Sequence, residues 1–434
     1  MTHIEQMIQD MCPNGVEWKT FDELGAFYGG LSGKTKDDFK EGNEKFITYL
    51  NIANNPALRL DIDETVKIGP NEKQNIVQYG DALFTGSSET PDECAMSSVV
   101  TDYPQEKLYL NSFCFGFRFN SLEGICPAFY KHYFRSDHFR KAVRRTANGT
   151  TRFNVSKKEF GKLSIPIPPI EIQKKIVECL DKFSALAAEL QAELQAELHL
   201  RRKQYEYYRT QLLTPHSDCN SADKFDDRNW EWKTFAELGA FYGGLSGKTK
   251  EDFKDGNAKY ITYLNIGCNP ALRFDILETV KVGSNEKQNA VKYGDALFTG
   301  SSETPDECAM SSVVTEQPTE NIYLNSFCFG FRFNSLDGIC PAFYKHYFRC
   351  DAFRKAVRRT ANGTTRFNVS KKEFAKLSIP IPPIAEQKRI ADILDKFEKL
   401  ISSMEEGIPA EQAAQQKRYE YYRDLLLTFD RKAV

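Results

Sequence analysis

No stretch of the sequence approaches the ~20 consecutive apolar residues of a membrane-spanning helix. The opening "MTHIEQMIQDMC" also lacks the apolar core of a secretion signal. Charge of one sign is not in excess: 58 Lys and Arg stand against 60 Asp and Glu, a net charge of −2. A globally basic nucleic-acid coat is therefore excluded, and any such binding must come from local clusters. Histidine is scarce, with 6 in 434 residues, and the 11 cysteines form no C-x-x-C pair, so no metal site is expected. Cys94, Cys114 and Cys126 sit among apolar or small residues, as in "NSFCFGF", which reads as reduced, mostly buried thiols of a cytosolic protein. Catalytic signatures are missing too. There is no G-x-S-x-G, no H-E-x-x-H and no N/D-P-P-aromatic tetrapeptide for amino-methyl transfer. No catalytic residue is assigned. The carboxylates of "SSETPDE" have no evident partner and read as a surface loop. Aromatic residues, by contrast, make up 13% of the chain, which argues for packed cores over disorder.

One motif looks like an exception. "YGGLSGKTK" occurs at 28–36 and again, unchanged, at 242–250. A nucleotide-binding P-loop needs G-x-x-x-x-G-K-[ST] between a buried strand and a helix. Counting back from Gly33-Lys34-Thr35 places the first glycine at position 28, which is Tyr28; Tyr242 breaks the second copy identically. The preceding "FDELGAF" is too polar for a buried parallel strand, and "KDDFKEGNEKF" is no apolar helix. Nucleotide hydrolysis is not expected. Two readings stay open. One is an ordinary surface turn. The other is a glycine-rich turn that brings its backbone to phosphate, with Lys34 and Lys36 (Lys248 and Lys250 in the second copy) as point charges.

The repetition extends far beyond this motif. From Trp18 and Trp232 onward the same offset holds without a gap to Thr214 and Thr428. The first ~150 residues of the two copies are roughly 85% identical, and the last ~45 match less closely. A period this long marks a domain-scale duplication, not a solenoid. Short runs such as "KFITYLNI", "DALFT", "LYLNSFCFGFRF" and "KLSIPIP" are strand-like, while "CPAFYKHYFRSDHFRKAVRRT" carries aromatics at helical spacing. Each globular part reads as a mixed, mostly β, α+β domain. After "IPIPPI" a long helix begins. Ile176, Leu180, Phe183, Leu190, Leu194 and Leu198 recur at coiled-coil spacing, as do Ile390, Ile393, Phe397, Leu400 and Met404 in the second copy. Two such helices at corresponding places are expected to pair. Gly407 and Pro409 are expected to kink or interrupt the second. The expected organisation is an N-terminal segment 1–17, a domain 18–168, a helical region 169–214, a linker 215–231, a second domain 232–382, a second helical region 383–428 and a tail 429–434.

The chemistry is concentrated in "FRKAVRRTANGTTRFNVSKKEF" at 139–160, which has no acidic residue before Glu159. Lys141, Arg144 and Arg145 share one helix face. Asn148-Gly149 makes a turn, and Thr150, Thr151, Arg152, Asn154 and Lys157 follow. Arginines, hydroxyls and backbone amides suit a phosphate backbone, and arginine and asparagine also read base edges. The second copy repeats the set as Lys355, Arg358, Arg359, Asn362, Thr364, Thr365, Arg366, Asn368 and Lys371.

This layout, with "LSIPIPPIEIQKKI" and "LSIPIPPIAEQKRI" leading into helices that end "RRKQYEYYRTQLL" and "QKRYEYYRDLLL", resembles the DNA-specificity subunit of type I restriction–modification systems. The resemblance covers nearly the whole chain. It implies two target-recognition domains separated by two long helices forming an antiparallel coiled coil, with pseudo-twofold symmetry. Each domain would read one half of a split double-stranded DNA site, and helix length would set the unread spacer. It further implies a cytoplasmic, non-catalytic chain that works with two methyltransferase subunits carrying S-adenosylmethionine and two restriction subunits using ATP and Mg. Unusually, the two domains here are almost the same, so an interrupted palindrome is expected as target. A non-catalytic coiled-coil scaffold binding other proteins is the alternative.

Overall fold

Short strands joined by polar turns cannot bury an apolar face alone, so they must stack on one another and on the helices that follow them. The computed structural model describes residues 3–214 and 230–432, and the expected linker at 215–231 lies almost wholly outside them. Two compact units result: Met1–Glu193 with Ile408–Val434, and Leu194–Gly407. Both cuts fall inside long helices.

In chain order the first unit contains α1 (His3–Met11), β1 (Glu17–Thr20), α2 (Phe21–Leu24), β2 (Gly25–Gly29), β3 (Glu44–Ile47), α3 (Tyr49–Asn54), β4 (Thr65–Val66), β5 (Ala82–Thr85), β6 (Ser87–Ser88), β7 (Ser97–Val99), β8 (Leu108–Leu110), β9 (Cys114–Phe119), α4 (Pro127–Tyr133), α5 (Asp137–Arg144), β10 (Ala147–Asn148), β11 (Phe153–Val155), α6 (Lys157–Gly161), β12 (Ser164–Ile167) and the start of α7 (Ile170–Leu213). Its main sheet is antiparallel, in the order β2-β9-β5-β7. A mixed sheet β4-β3-β8, an antiparallel sheet β10-β11-β6 and the pair β1-β12 complete it. The second unit repeats all four sheets in its own strands. The α+β expectation is met.

Phe21 organises the first core. A capping box fixes its place: Thr20 N–H donates to the Glu23 carboxylate at 2.6 Å, and Glu23 N–H donates to Thr20 Oγ1 at 3.3 Å. The fully buried Phe21 ring meets Phe117 edge-on at 4.8 Å and contacts Phe84, Phe134, Phe139 and Phe160. Phe235 repeats this in the second unit.

The opening motif has a structural role. Tyr28 sits on β2 opposite Gly116, where a Cβ would lie 2.1 Å from the tyrosine ring. Its hydroxyl donates to the buried Asp81 at 2.7 Å, and Arg118 donates to the same carboxylate at 2.8 and 2.6 Å. Burial, then the Asp81 charge, drive the Tyr28 phenol well above its ordinary value. Downstream of the motif comes only a 3₁₀ turn, Lys36–Phe39, so the strand-to-helix setting of a P-loop is absent.

The long helices correct two expectations. Ile176 and Leu180 are buried in the first domain's own core, and Ile390 in the second's, where Leu394 rather than Ile393 is the buried repeat of Leu180. The first turns of each helix are thus spent on docking to the domain that precedes them. Helix pairs meet farther along. Phe183 contacts Tyr419 and Tyr422 in the first unit, and Tyr208 stacks on Phe397 while Arg202 pairs with Glu405 in the second. In each unit the paired segments run antiparallel. Leu198 is buried, whereas Leu190 and Leu400 are exposed; Leu194, Ile393 and Met404 are half-buried. The expected interruption does not occur: helix Ile384–Leu426 runs continuously with Pro409 inside it. A single proline removes one N–H, and the flanking turns keep their bonds.

A polar cluster anchors the paired helices. In the second unit His346 lies 2.6 Å from Asp395, Lys345 bonds to both Asp395 and Glu398, and Tyr205 donates to Glu398 at 2.9 Å. The lysine ammonium makes the His346–Asp395–Glu398 group an ion-pair network and not a metal centre. Burial pushes the Glu398 carboxyl up, but His346 and Lys345 outweigh it and hold it at about 2. A depressed carboxylate adds stability above its unfolded value and loses it as pH falls through the folded value. The second unit is therefore expected to lose about 2 kcal/mol between pH 4.5 and about 2, and Glu398→Gln should flatten that acid limb. Acid titration of unfolding free energy checks this; an unchanged limb would contradict it. The first unit has Ser184 in the same repeat position and so keeps only the pairings common to both units, His132 with Asp181 and Tyr419 and Lys131 with Asp181.

Candidate nucleic-acid interface

The basic segment folds as a helix followed by a hairpin. Ser136 caps α5, whose Phe139 and Val143 face the core, so Lys141, Arg144 and Arg145 face water. Strands β10 and β11 pair Asn148 with Asn154. Their turn depends on Gly149, at φ +140°, where a Cβ would lie 2.0 Å from the Arg152 carbonyl oxygen. Asn148, Thr150, Thr151, Arg152, Asn154 and Lys157 are all exposed. Asn362, Thr364, Thr365, Arg366, Asn368 and Lys371 are exposed likewise on the second hairpin.

The predicted cations divide by environment. Arg145 and Arg359 are exposed at the ends of their helices. Lys141 pairs loosely with Asp137 on the surface, and Lys355 is exposed. Arg144 reaches Asp92 at 2.9 Å and Arg358 reaches Asp306 at 2.8 Å, both exposed pairs worth little and easily exchanged for phosphate. Lys157 and Lys371 lie over the Phe115 and Phe329 rings. Lys36 and Lys250 are exposed at the start of their 3₁₀ turns.

Lys34 and Lys248 must be reassigned. Each side chain is only 7% exposed. Lys34 Nζ donates to the Lys67 carbonyl and the Glu72 carboxylate, both at 2.6 Å. Bonds from Gly69 N–H, Lys34 and Gln74 hold Glu72 down to about 2. Lys248 repeats this with Lys281 and Glu286. The lysine of Gly-Lys-Thr is thus a structural tie, not a free point charge. Nothing in its spacing reveals that, because Glu72 is 38 residues away.

Sequence reading also passed over a cleft beside the hairpin. About 570 Å³ in volume, it is lined by Tyr49, Ser87, Glu89, Glu93, Phe113 and Arg152, among others. The second unit has its repeat, about 560 Å³, with the same residue types throughout. Arg152 Nε donates to Ser87 Oγ at 3.3 Å, and its guanidinium lies 6.0 Å from the Phe113 ring centroid. The loop bearing Glu93 is pinned from α5, where Arg140 donates to the carbonyls of Asp92, Cys94 and Ala95. Ala95 and Ala309 have φ +47° and +48°, the only positive values of non-glycine residues among the described residues, so this loop carries strain beside the cleft. Burial pushes the nearby Cys114 thiol up to about 12, as befits an inert core residue. Cys94 and Cys114 are buried as expected, Cys126 is half-buried, and Cys179 and Cys268 are exposed. No helix among the described residues is long and apolar enough to cross a membrane.

The family described as "Type I restriction modification DNA specificity domain" matches residues 13–200 and again 227–412. The specificity subunit of the type I restriction enzyme EcoR124I/EcoR124II from Escherichia coli is 32% identical over 277 residues, which is 62% of this chain and 63% of that protein. This chain thus matches somewhat under two thirds of that relative's length. Among solved structures, the HsdS subunit from Thermoanaerobacter tengcongensis aligns with TM-score 0.61 at 17% identity, covering 96% of this chain and 97% of the other. A chain from a study of type I R-M complex assembly and conformational transition aligns with TM-score 0.64 at 16% identity, covering 96% and 98%. At such identities these two structures speak to the fold alone.

Proposed function

Since this chain belongs to the type I restriction–modification DNA specificity family, we propose that it is the sequence-reading component of a type I restriction–modification complex and performs no chemistry itself. Each globular domain reads one part of a bipartite duplex site. The paired helices space the parts and dock two methyltransferase subunits. S-adenosylmethionine, ATP and Mg belong to those methyltransferase subunits and to two restriction subunits. The observation that carries this reading is the repetition of one basic surface, α5 with the hairpin β10–β11, in a chain of net charge −2. Its exposed cations, hydroxyls and amides suit a phosphate backbone.

The near-identity of the two domains supports an interrupted palindrome as target. No residue lining the two clefts differs. One difference does reshape a loop. Asp63 becomes Leu277, which packs on the second core; Ile276 is left 42% exposed, whereas Ile62 is 3% exposed. Mapping methylated bases in cells carrying the system is expected to give a split site whose two halves are the same sequence on opposite strands. Two unrelated half-sites would overturn the palindrome.

A further inference from the structure

Phe113 exposes 61% of its surface, and its repeat Phe327 exposes 62%. Neither belongs to a floppy loop. Phe113 N–H donates to Asn111 Oδ1 at 2.9 Å, and its carbonyl accepts from Gly86 N–H at 2.8 Å. An aromatic ring held out in water on fixed backbone contributes little to folding. It is a surface prepared for contact, and Arg152 lies over it.

The same cleft holds Glu89 and Glu93, both exposed. Their neighbour Asp92 is neutralised by Arg144, but neither glutamate forms an ion pair with any described residue. The loop is rigid: Ser88 and Cys94 tie it to each other and Cys94 ties it to β11, and Arg140 ties it to α5. Uncompensated carboxylates on a surface that meets phosphates weaken binding. They are useful only opposite a donor. On duplex DNA the donors accessible in the major groove are the exocyclic amino groups of cytosine and adenine.

Resting on the specificity reading above, we propose that this cleft reads a base: Glu89 and Glu93 accept hydrogen bonds from the exocyclic amino group of a cytosine or adenine, while Phe113 and Arg152 pack against the same step. Glu303, Glu307, Phe327 and Arg366 read the equivalent base of the other half-site. Glu89 and Glu93 are thus specificity residues.

The test uses the full chain co-expressed with its methyltransferase subunits. The variant is Glu89→Ala with Glu93→Ala, in the first copy only. Methylated sites are mapped, and affinity is measured for duplexes altered one base at a time in each half-site. Discrimination at one base pair of one half-site is expected to fall by about tenfold to a hundredfold. On the interrupted palindrome the altered copy can occupy either half, so a duplex changed at that base pair in one half should be accepted whichever half carries the change. A duplex changed in both halves should still be rejected, because the untouched copy must read one of them. The matching pair Glu303→Ala with Glu307→Ala should give the same pattern, and all four substitutions together should admit the duplex changed in both halves. Unchanged stringency in both halves, with uniformly tighter binding to all duplexes, would show that the carboxylates only repel phosphate and would overturn the proposal. Complete loss of methylation by both variants would also overturn it, because it would assign these glutamates to folding. Absence of any bipartite target with the unaltered chain would remove the parent reading itself.

Discussion

Replacing Arg144, Arg145, Arg358 and Arg359 with alanine is expected to lower the affinity of the assembled complex for any duplex by roughly a hundredfold or more and to reduce its salt dependence. Each phosphate contact contributes a slope of about −0.9 in log affinity against log salt, so four lost contacts should flatten it by about 3 to 4. Arg145 and Arg359 are exposed at helix ends. Arg144 and Arg358 are lightly held by Asp92 and Asp306 and can exchange partners at low cost. The order of preference among bases should stay the same, because phosphate contacts position without reading sequence. Lys34→Ala with Lys248→Ala provides the contrast. Those lysines are 7% exposed and bound to Glu72 and Glu286, so the salt slope should not move. A salt-titrated binding assay separates the two cases. A slope reduced as much by the lysine pair as by the arginines would contradict the assignment.

The second large effect is on stability. Asp81→Ala is expected to destabilise the first unit by about 3 kcal/mol, with Asp295→Ala acting alike in the second. Asp81 is 1% exposed and accepts from Tyr28 Oη, Arg118 Nε and Nη2, and Gln78 N–H. Its removal leaves a guanidinium without its counter-charge, with that group's nearest alternative the Ile76 carbonyl it already bonds. Asp81→Asn keeps the shape and some of the bonds, and should cost less. Denaturant unfolding measures both; a change under about 0.5 kcal/mol for the alanine variant would contradict the network's role.

The fold and its duplication were legible because repetition and hydrophobic spacing survive in one dimension. The turn of the hairpin could be read too, since Asn148-Gly149 between charged and β-branched residues signals one, but the pairing of its strands could not. The failures share a physical cause. Lys34 looked free because its partner comes from a distant turn. Ile176 and Leu180 looked like a coiled-coil seam because burial against a domain and burial against a helix leave the same three-and-four spacing. The cleft was invisible because its walls come from α3, β6, the 3₁₀ turn Pro91–Glu93, the Asn111–Phe113 turn and the hairpin, which meet only in space.

The unit boundary inside each helix bears on the order of synthesis. The second unit, Leu194–Gly407, is one continuous piece of chain. The first is not: its core includes Leu426, Leu427 and Phe429, and Val16 bridges to Arg431. During translation from the amino end, the domain made first must therefore wait, its apolar floor uncovered, until the whole of the second has left the ribosome. Limited proteolysis of a released chain ending at Gly407 should find the second domain protected and the first domain cut. The ribosome would make the first domain early, and the chain would finish it late.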